Sequence, residues 1–509
     1  MSRYKSILLG TLSSQLFLIV TMLLNLLAVP LYLKFLNREG YGLYVVLSQA
    51  VGFLGLLDFG LSASVSRSLA MNRQEPHGEF VSRVVSTGFF IHLGLGLMVI
   101  LVALGLSSRL PQWLHLERAD TLVASSLFIA LSVWGGAQLP LRAVVGLFFA
   151  HERQTLAHFT NFLFVNLSLA LSLCFLHLGH GLWSFVYASA AATLLNAVVL
   201  AYLLRRHYPE LRIGRAHFDS SLLGEMFRYG FFLFLNGVGW IIVANTDRFL
   251  IGALVSLSAV TMFALTVRLP EIAMQLIFRV TDNAFPVMVE AHTHEGALKL
   301  KRIHQKLMVT AVSLSAIAFW LILSLNAYFL QLWVGPDLFA GQLVLVTACV
   351  LMAYHGFLHV SAVCLNGAGC VRGMGLLSLV EAALNLALSI WLGRRFGVIG
   401  VIGATLVAGV LTHGWYTPRL AMSYLKITPR EYLAEPILRP FALISVAGVA
   451  LYALSRAALD AASLNWVTFF AFGLFAALAL AVFTWLLVLR RELGIYVPVR
   501  FQRLLCIAG

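Results

Sequence analysis

The sequence predicts an all-α, polytopic membrane protein of about fourteen transmembrane helices, and three observations predict it. Of 509 residues, 60% are hydrophobic and 11% are charged, and the mean hydropathy is +0.90. Soluble chains carry about 25% charged residues, and a chain this apolar cannot cover its own surface with polar groups. The apolar residues fall in runs of about 20, the length that crosses the hydrocarbon core as a helix. The basic residues gather in alternate connecting segments. A secreted domain, a disordered chain and an ordinary cytosolic enzyme are excluded.

Taken in order, the runs centre on Val20, Gly52, Leu95, Leu131, Asn166, Ala192, Gly239, Gln275, Ser315, Leu351, Leu384, Val407, Val449 and Ala477. The first run continues to about Phe35, too long for the apolar core of a secretory signal. The eighth carries five polar or charged groups, and the last pair reads as an accessory. With the N-terminus inside, 25 of the 35 Lys and Arg residues lie in cytoplasmic segments and 7 in outer ones; Arg248, Arg268 and Arg279 lie at membrane depth. Cytoplasmic loops carry the basic excess in membrane proteins. Both termini are therefore expected in the cytoplasm. The net charge of +14 is assigned to this asymmetry and not to a nucleic-acid partner.

The spans divide into an N-lobe at residues 1–204 (six spans), a cytoplasmic linker at 205–225, a C-lobe at 226–420 (six spans), and a last pair with a cytoplasmic tail at 421–509. Six spans per half make a parallel pseudo-repeat, related by an axis along the membrane normal. No connecting loop exceeds roughly 20 residues, so there is no room for a soluble catalytic domain. No GxxxxGK[ST] motif occurs, which disfavours an ATP-driven pump on one chain. The five cysteines have no CxxC spacing, and no Ser-His-Asp or Cys-His order has supporting context. No catalytic residue, metal site or bound cofactor is expected.

A charge at the bilayer centre costs roughly 3 kcal/mol or more, so buried charges face a bundle interior or a wet cavity. In the eighth span Arg268, Glu271, Gln275, Arg279 and Asp282 share one face at spacings of 3, 4, 4 and 3. Ile272, Ile277, Phe278 and Val280 are assigned to the opposite face. Two compatible readings follow: the stripe lines a cavity, or Arg268–Glu271 and Arg279–Asp282 are i,i+3 ion pairs that lock spans together. Span seven carries Asn236, Trp240, Asp247 and Arg248, read either as cavity groups or as interfacial anchors. Glu381, with Asn385 at i,i+4, is a candidate proton or sodium site, or the partner of an arginine elsewhere. Asp58 ends span two as a gating group or a helix-end cap. His355 and His359 are spaced i,i+4, without a third metal ligand at a telling spacing. Asparagines such as Asn25 and Asn166 read as helix–helix glue or as sugar-hydroxyl partners.

Several segments together resemble a known family. Pro30-Leu-Tyr-Leu-Lys-Phe-Leu-Asn-Arg-Glu-Gly-Tyr-Gly-Leu-Tyr44 continues to Leu56-Leu-Asp-Phe-Gly-Leu61 and Arg67-Ser-Leu-Ala70. This is similar to the opening of bacterial polysaccharide flippases, the O-antigen and exopolysaccharide translocases. Asn245-Thr-Asp-Arg-Phe-Leu-Ile-Gly252 resembles the family's span seven, and Arg268 to Pro286 its span eight. The resemblance implies the multidrug, oligosaccharidyl-lipid and polysaccharide exporter superfamily, with two six-helix lobes around a central cavity. It implies a polyprenyl-pyrophosphate-linked oligosaccharide as cargo, membrane lipids and other polysaccharide-assembly proteins as partners, and a bacterial inner-membrane location. Substrate contacts are then expected from Arg268, Arg279, Arg248, Gln275, Asn236 and Trp240. Gating or coupling to H+ or Na+ is expected from Asp58, Asp247, Glu271, Asp282 and Glu381. A cation-coupled multidrug exporter of the same superfamily is the alternative.

Overall fold

The computed structural model describes residues 3–54, 61, 65, 68–69, 78–116, 118–150, 153–292, 296–459 and 464–490, and among them there is no strand. The N-terminal half holds α1 (Arg3–Leu54), α2 (Glu79–Leu106), the short α3 (Leu110–Trp113), α4 (Arg118–Ala150), α5 (Gln154–His177), α6 (Trp183–His207) and α7 (Ser221–Leu254). There follow α8 (Leu257–Thr266), α9 (Arg268–Asp282), α10 (Phe285–Glu290), α11 (Ala297–Trp333), α12 (Gln342–Gly367) and α13 (Val371–Phe396). The last are α14 (Val398–Leu411), α15 (His413–Leu425), α16 (Arg439–Ala458) and α17 (Trp466–Thr484).

All fourteen expected centres fall inside helices. Among the described residues twelve helices are long and apolar enough to cross a membrane, or 13 if α8 and Arg268–Glu290, bent by 46°, form one span. The eighth span is recovered only as this bent pair because its polar groups dilute the apolar run. The first two spans are continuous in α1 except at Asn37, where φ is 56° and ψ −175°. That conformation is essentially glycine's own and costs about 1–3 kcal/mol. Asn37 offsets it by accepting the Gly40 N–H on Oδ1 at 2.9 Å, an N-cap for the helix that restarts there. The end of span two, with Asp58, lies outside the described residues.

Packing divides the chain into two compact units, residues 1–261 and 262–509. The sequence boundary at 205–225 therefore does not coincide with the division: α7 packs with α1 in the first unit. The linker is no free tether either. Ser82 Oγ accepts the Arg212 N–H at 3.3 Å, and Ser86 Oγ bridges the Arg212 carbonyl and the Gly214 N–H at 3.2 Å each. Thr87 Oγ1 accepts the Asp219 N–H at 2.9 Å, and Arg83 pairs with Asp219 at 3.3 Å. Three hydroxyls on one face of α2 thus sew the segment to the N-terminal bundle. Behind it Tyr208 is buried, with the Arg153 guanidinium 5.2 Å from its ring centre.

Within the first unit α2 and α4 cross most closely. A β-carbon on Gly96 would stand 2.5 Å from the Gly136 carbonyl oxygen, and one on Gly136 would stand 2.7 Å from that of Gly96. Small residues let membrane helices approach to backbone contact, where dispersion replaces the missing hydrophobic drive. Neutral side chains add ties: Asn166 donates to Thr21 Oγ1 at 2.8 Å, and Tyr32 and Ser172 hydroxyls meet at 2.8 Å.

The second unit is built around α11 and α12, whose buried faces share one apolar cluster that includes Met308, Val312, Leu345 and Met352. The last pair of helices is part of this unit. Trp320 on α11 fills the space left by Gly448 on α16 and donates to Ser445 Oγ at 3.0 Å. Before α16 a π-helical stretch, Arg430–Leu438, buries Tyr432 completely. Its hydroxyl meets Ser361 Oγ at 2.7 Å, which meets His304 Nε2 at 3.1 Å. Lys301 and Glu431 close the same junction at 2.7 Å. By contrast α17 exposes Val467, Phe470, Leu474 and Leu478, as a lipid-facing helix does.

Candidate functional site

Helix α9 carries the charged stripe. It restarts after the break at Val267, and Pro270 in its first turn has no intrahelical N–H to forfeit. Glu271 lies in the first turn and Arg279 in the last, both in accord with the helix dipole. Pro270, Ile277 and Thr281 are its buried residues. Ile277 meets α12 at Gly356, beside Ser315 of α11. On the other side Gln275, Arg279 and Asp282 are exposed, and Arg268 and Glu271 are half-buried. All five expected polar residues therefore share the face turned away from their own unit's core.

The apolar assignment needs correction. Ile277 is buried, but Ile272 is half-buried and Val280 is 38% exposed. Phe278 belongs to the polar side. Being four residues before Asp282, it shares that residue's face. Its ring stacks on the His359 imidazole at 3.9 Å, and His359 Nε2 lies 2.8 Å from Asp282 Oδ1. The expected Arg279–Asp282 lock is thereby replaced, since Asp282 is held by a histidine of α12. Among the described residues neither Arg268 nor Arg279 forms an ion pair, and the Arg268 Nε is buried without a hydrogen-bond partner.

Glu381 defines a second cluster in the same unit. It is 8% exposed, and its partner is His413, not an arginine: Oε2 lies 3.6 Å from Nε2. His413 also meets Ser378 Oγ and Thr417 Oγ1 at 3.0 Å each. His413 opens α15 just after Thr412, where φ −114° and ψ −92° interrupt the span Val398–Leu425. Gly409 and Gly414 flank the break. The hydroxyl of Tyr354 sits against both glycines, with Glu381 Oε1 3.3 Å from where a Gly409 β-carbon would stand. The Tyr354 oxygen is buried without a partner. A carboxyl, an imidazole and a phenol thus meet at a broken helix. Asn385, one turn after Glu381, donates instead to Thr405 Oγ1 at 2.8 Å.

The remaining expected residues are not gathered with these. Asp247 and Arg248 are half-buried on α7 in the first unit. The side chains of Asn236 and Trp240 lie outside the described residues, as does Asp58. His355 and His359 make no joint site: His359 serves Asp282, and His355 stands edge-on to Tyr354 at 5.1 Å. Among the described residues no three His, Cys, Asp or Glu side chains gather as metal ligands. Sequence reasoning missed His359 as the partner of Asp282, and missed Tyr354 and His413. The interruption Gly409 to Gly414 inside an apolar run was the signal available for the latter two.

Residues 7–292 match the family described as polysaccharide biosynthesis protein. The chain is 20% identical over 501 residues to the uncharacterized membrane protein EpsK of Bacillus subtilis (strain 168), covering 95% of this chain and 96% of that one. It is 23% identical over 250 residues to a putative O-antigen transporter of Shigella flexneri, covering 47% of this chain and 57% of that one. Its fold is similar to the lipid II flippase MurJ in an inward closed conformation (TM-score 0.69, 13% identity, 92% of this chain and 97% of that one). It is also similar to an inward-facing multidrug resistance MATE family transporter of the MOP superfamily (TM-score 0.68, 18% identity, 80% and 95%).

Proposed function

Because the chain belongs to the polysaccharide biosynthesis protein family, matched over residues 7–292, we propose that it is a flippase for a lipid-linked glycan. The cargo is a polyprenyl-pyrophosphate-linked oligosaccharide, moved from the cytoplasmic to the periplasmic leaflet by alternating access. A sugar-pyrophosphate head cannot cross hydrocarbon, and a polar path open to one side at a time removes that barrier while the prenyl tail stays in lipid. The observation that carries the reading is the α9 stripe, where Arg268 and Arg279 are free of ion pairs among the described residues. Guanidinium forks bond phosphate oxygens bidentately. Asp282 is bonded to His359 of α12. The imidazole–carboxyl pair Glu381–His413 is the candidate coupling group, with Asp247, Glu271 and Asp58 as further gating candidates. An inner-membrane location with both termini cytoplasmic is supported by the 25 to 7 division of basic residues, and other polysaccharide-assembly proteins are its expected partners.

The test is a leaflet-resolved assay of the lipid-linked sugar in a deletion strain. Arg279→Ala abolishes appearance in the outer leaflet at unchanged protein level, and Arg279→Lys restores part of it. Normal glycan export from Arg279→Ala removes this residue from the path. The likeness to the MATE transporter and the buried Glu381 favour a second reading, a cation-coupled multidrug exporter. It predicts drug resistance on overexpression with no glycan defect on deletion.

A further inference from the structure

Helix α13 carries a polar stripe of which the transport reading uses one member. Ser378, Glu381, Asn385 and Ser389 are spaced 3, 4 and 4, so they share one face. The last three are buried, and Asn385 and Ser389 are completely so. The face is turned to α14, and three contacts set the register of this antiparallel pair. Glu381 Oε1 lies beside Gly409, Asn385 Nδ2 donates to Thr405 Oγ1 at 2.8 Å, and the Leu392 carbonyl lies against Gly400. The stripe therefore runs from Glu381 along the α13–α14 seam toward the end marked by Arg394 and Arg395, the end that the basic-residue asymmetry assigns to the periplasm.

Asn385 Oδ1, Ser389 Oγ and Tyr354 Oη are buried without a hydrogen-bond partner in the protein. Isolated atoms of this kind are rare, and at bilayer depth no bulk solvent relieves them. A row of them is what internal water satisfies. Residues one turn apart on the stripe stand about 6 Å apart along the axis, and one water with two hydrogen bonds of about 2.8 Å spans that step. Two steps, about 12 Å, lead from Glu381 to Ser389. Glu381 is the one titratable group on the seam: α14 has none, and α13 has no other between it and Arg394, with Arg372 at the far end. Facing Glu381 are His413 of α15 at 3.6 Å and Tyr354 of α12, with His355 edge-on to Tyr354 at 5.1 Å. Tyr416 of α15 lies instead against Gly373, two turns earlier. Among the described residues no lysine or arginine pairs with Glu381.

We infer that the α13–α14 seam is a proton path from the periplasmic end to Glu381, carried by internal waters that Asn385 and Ser389 hold in place, and that the coupling ion is H+. A proton from outer water passes along the waters and the Ser389 hydroxyl by exchange of hydrogen bonds, and the Glu381 carboxylate takes it to become the neutral acid. Asn385 exchanges no proton; its Oδ1 orients a water, and its amide is anchored on Thr405. Sodium suits the seam less. Hard cations gather about six oxygens, whereas His413 already faces Oε2 and leaves the carboxylate one oxygen. The path rests on the flippase reading for the use made of the proton, and on the seam alone for its course.

The experiment uses the purified full chain in lipid nanodiscs, with the proton as the probe. Infrared difference spectra after a downward pH jump read the carbonyl band of a carboxylic acid, and rapid mixing reads the rate at which it appears. The parent gains an acid band that Glu381→Gln lacks, with equal amplitude in choline chloride and in sodium chloride. Ser389→Ala and Asn385→Leu each slow its appearance about tenfold and leave its final amplitude unchanged, which a merely structural role for these side chains would not do. Leu386→Ala, on the exposed side of α13, keeps the parent rate. The path is overturned if parent and Glu381→Gln give the same spectrum, if sodium erases the Glu381 band, or if Ser389→Ala protonates at the parent rate. Should Asn385→Leu fail to fold by size exclusion, Ser389→Ala decides alone. Export of glycan by Glu381→Gln at the parent level in a deletion strain, with the band and its slowed rates as expected, strikes the coupling role and leaves the path standing.

Discussion

Side-chain ties between helices in the N-terminal unit run through hydroxyls and amides: Asn166 to Thr21, Tyr32 to Ser172, Gln138 to Thr193, and Ser82, Ser86 and Thr87 to the sewn segment. In the C-terminal unit neutral pairs such as Trp320 to Ser445 and Asn385 to Thr405 are joined by a set of histidines: His359 to Asp282, His413 to Ser378 and Glu381, His304 to Ser361, and His292 to Tyr424. Hydroxyl and amide ties join neutral groups, whereas an imidazole facing a carboxylate joins unlike ones. The difference teaches where chemistry resides. The first unit joins its helices through neutral groups and backbone contact, and the second sets imidazoles against carboxylates.

Mutations can break this contrast. The largest effect is expected at the backbone contact of the first unit. Gly96→Leu forces α2 off α4, costs about 3 kcal/mol or more, and leaves no folded protein in detergent by size exclusion. A folded Gly96→Leu protein would mean that the first unit does not depend on that crossing. Next comes the histidine pair of the second unit. His413→Ala leaves Glu381 without its imidazole partner, lowers thermal stability by about 2 kcal/mol and depresses export; adding Glu381→Gln recovers the stability but not the export. Recovery of both by the double variant would make the pair purely structural. Ser361→Ala removes the bridge between His304 and Tyr432 and costs about 1–2 kcal/mol, read as loosened exchange protection in α16 with export retained.

The smallest effect belongs to Asp219. Hydrogen bonds from the Ser221 hydroxyl and amide, with Arg83 beside it, hold its carboxyl below the ordinary value of 3.8. A lowered value means the tie is complete above the unfolded value and is lost as pH falls through the folded one. Exchange protection of residues 208–219 is therefore flat from neutral pH to about 4 and declines only below that, while Asp219→Asn shows the weakened level at every pH. Decline already at pH 6 would assign the tie to some other group.

The fourteen helix centres and the α9 stripe were legible because both are periodic and local. Run length reveals a span, and the i,i+3/i+4 spacing of Arg268 to Asp282 reveals a face. What the sequence hid are choices made across space. Asp282 has Arg279 within reach on its own helix, yet it bonds His359 from α12. Glu381 has no cation nearby in sequence and finds His413 over thirty residues on. Phe278 was misassigned because its hydrophobicity outweighed its register with Asp282. The two compact units divide at residue 261, and the polar connection at 205–225 packs with the first of them. Only the partners of Ser82, Ser86 and Thr87 reveal that it is fastened.

The stitched segment has a practical corollary for dissecting the protein. A polypeptide severed within residues 208–219 would carry loose thread on both fragments, because the α2 hydroxyls must recapture both ends. Severed instead beyond residue 261, the amino-terminal fragment keeps its seam whole, and co-expressed halves divided there should complement where halves divided at the apparent linker do not.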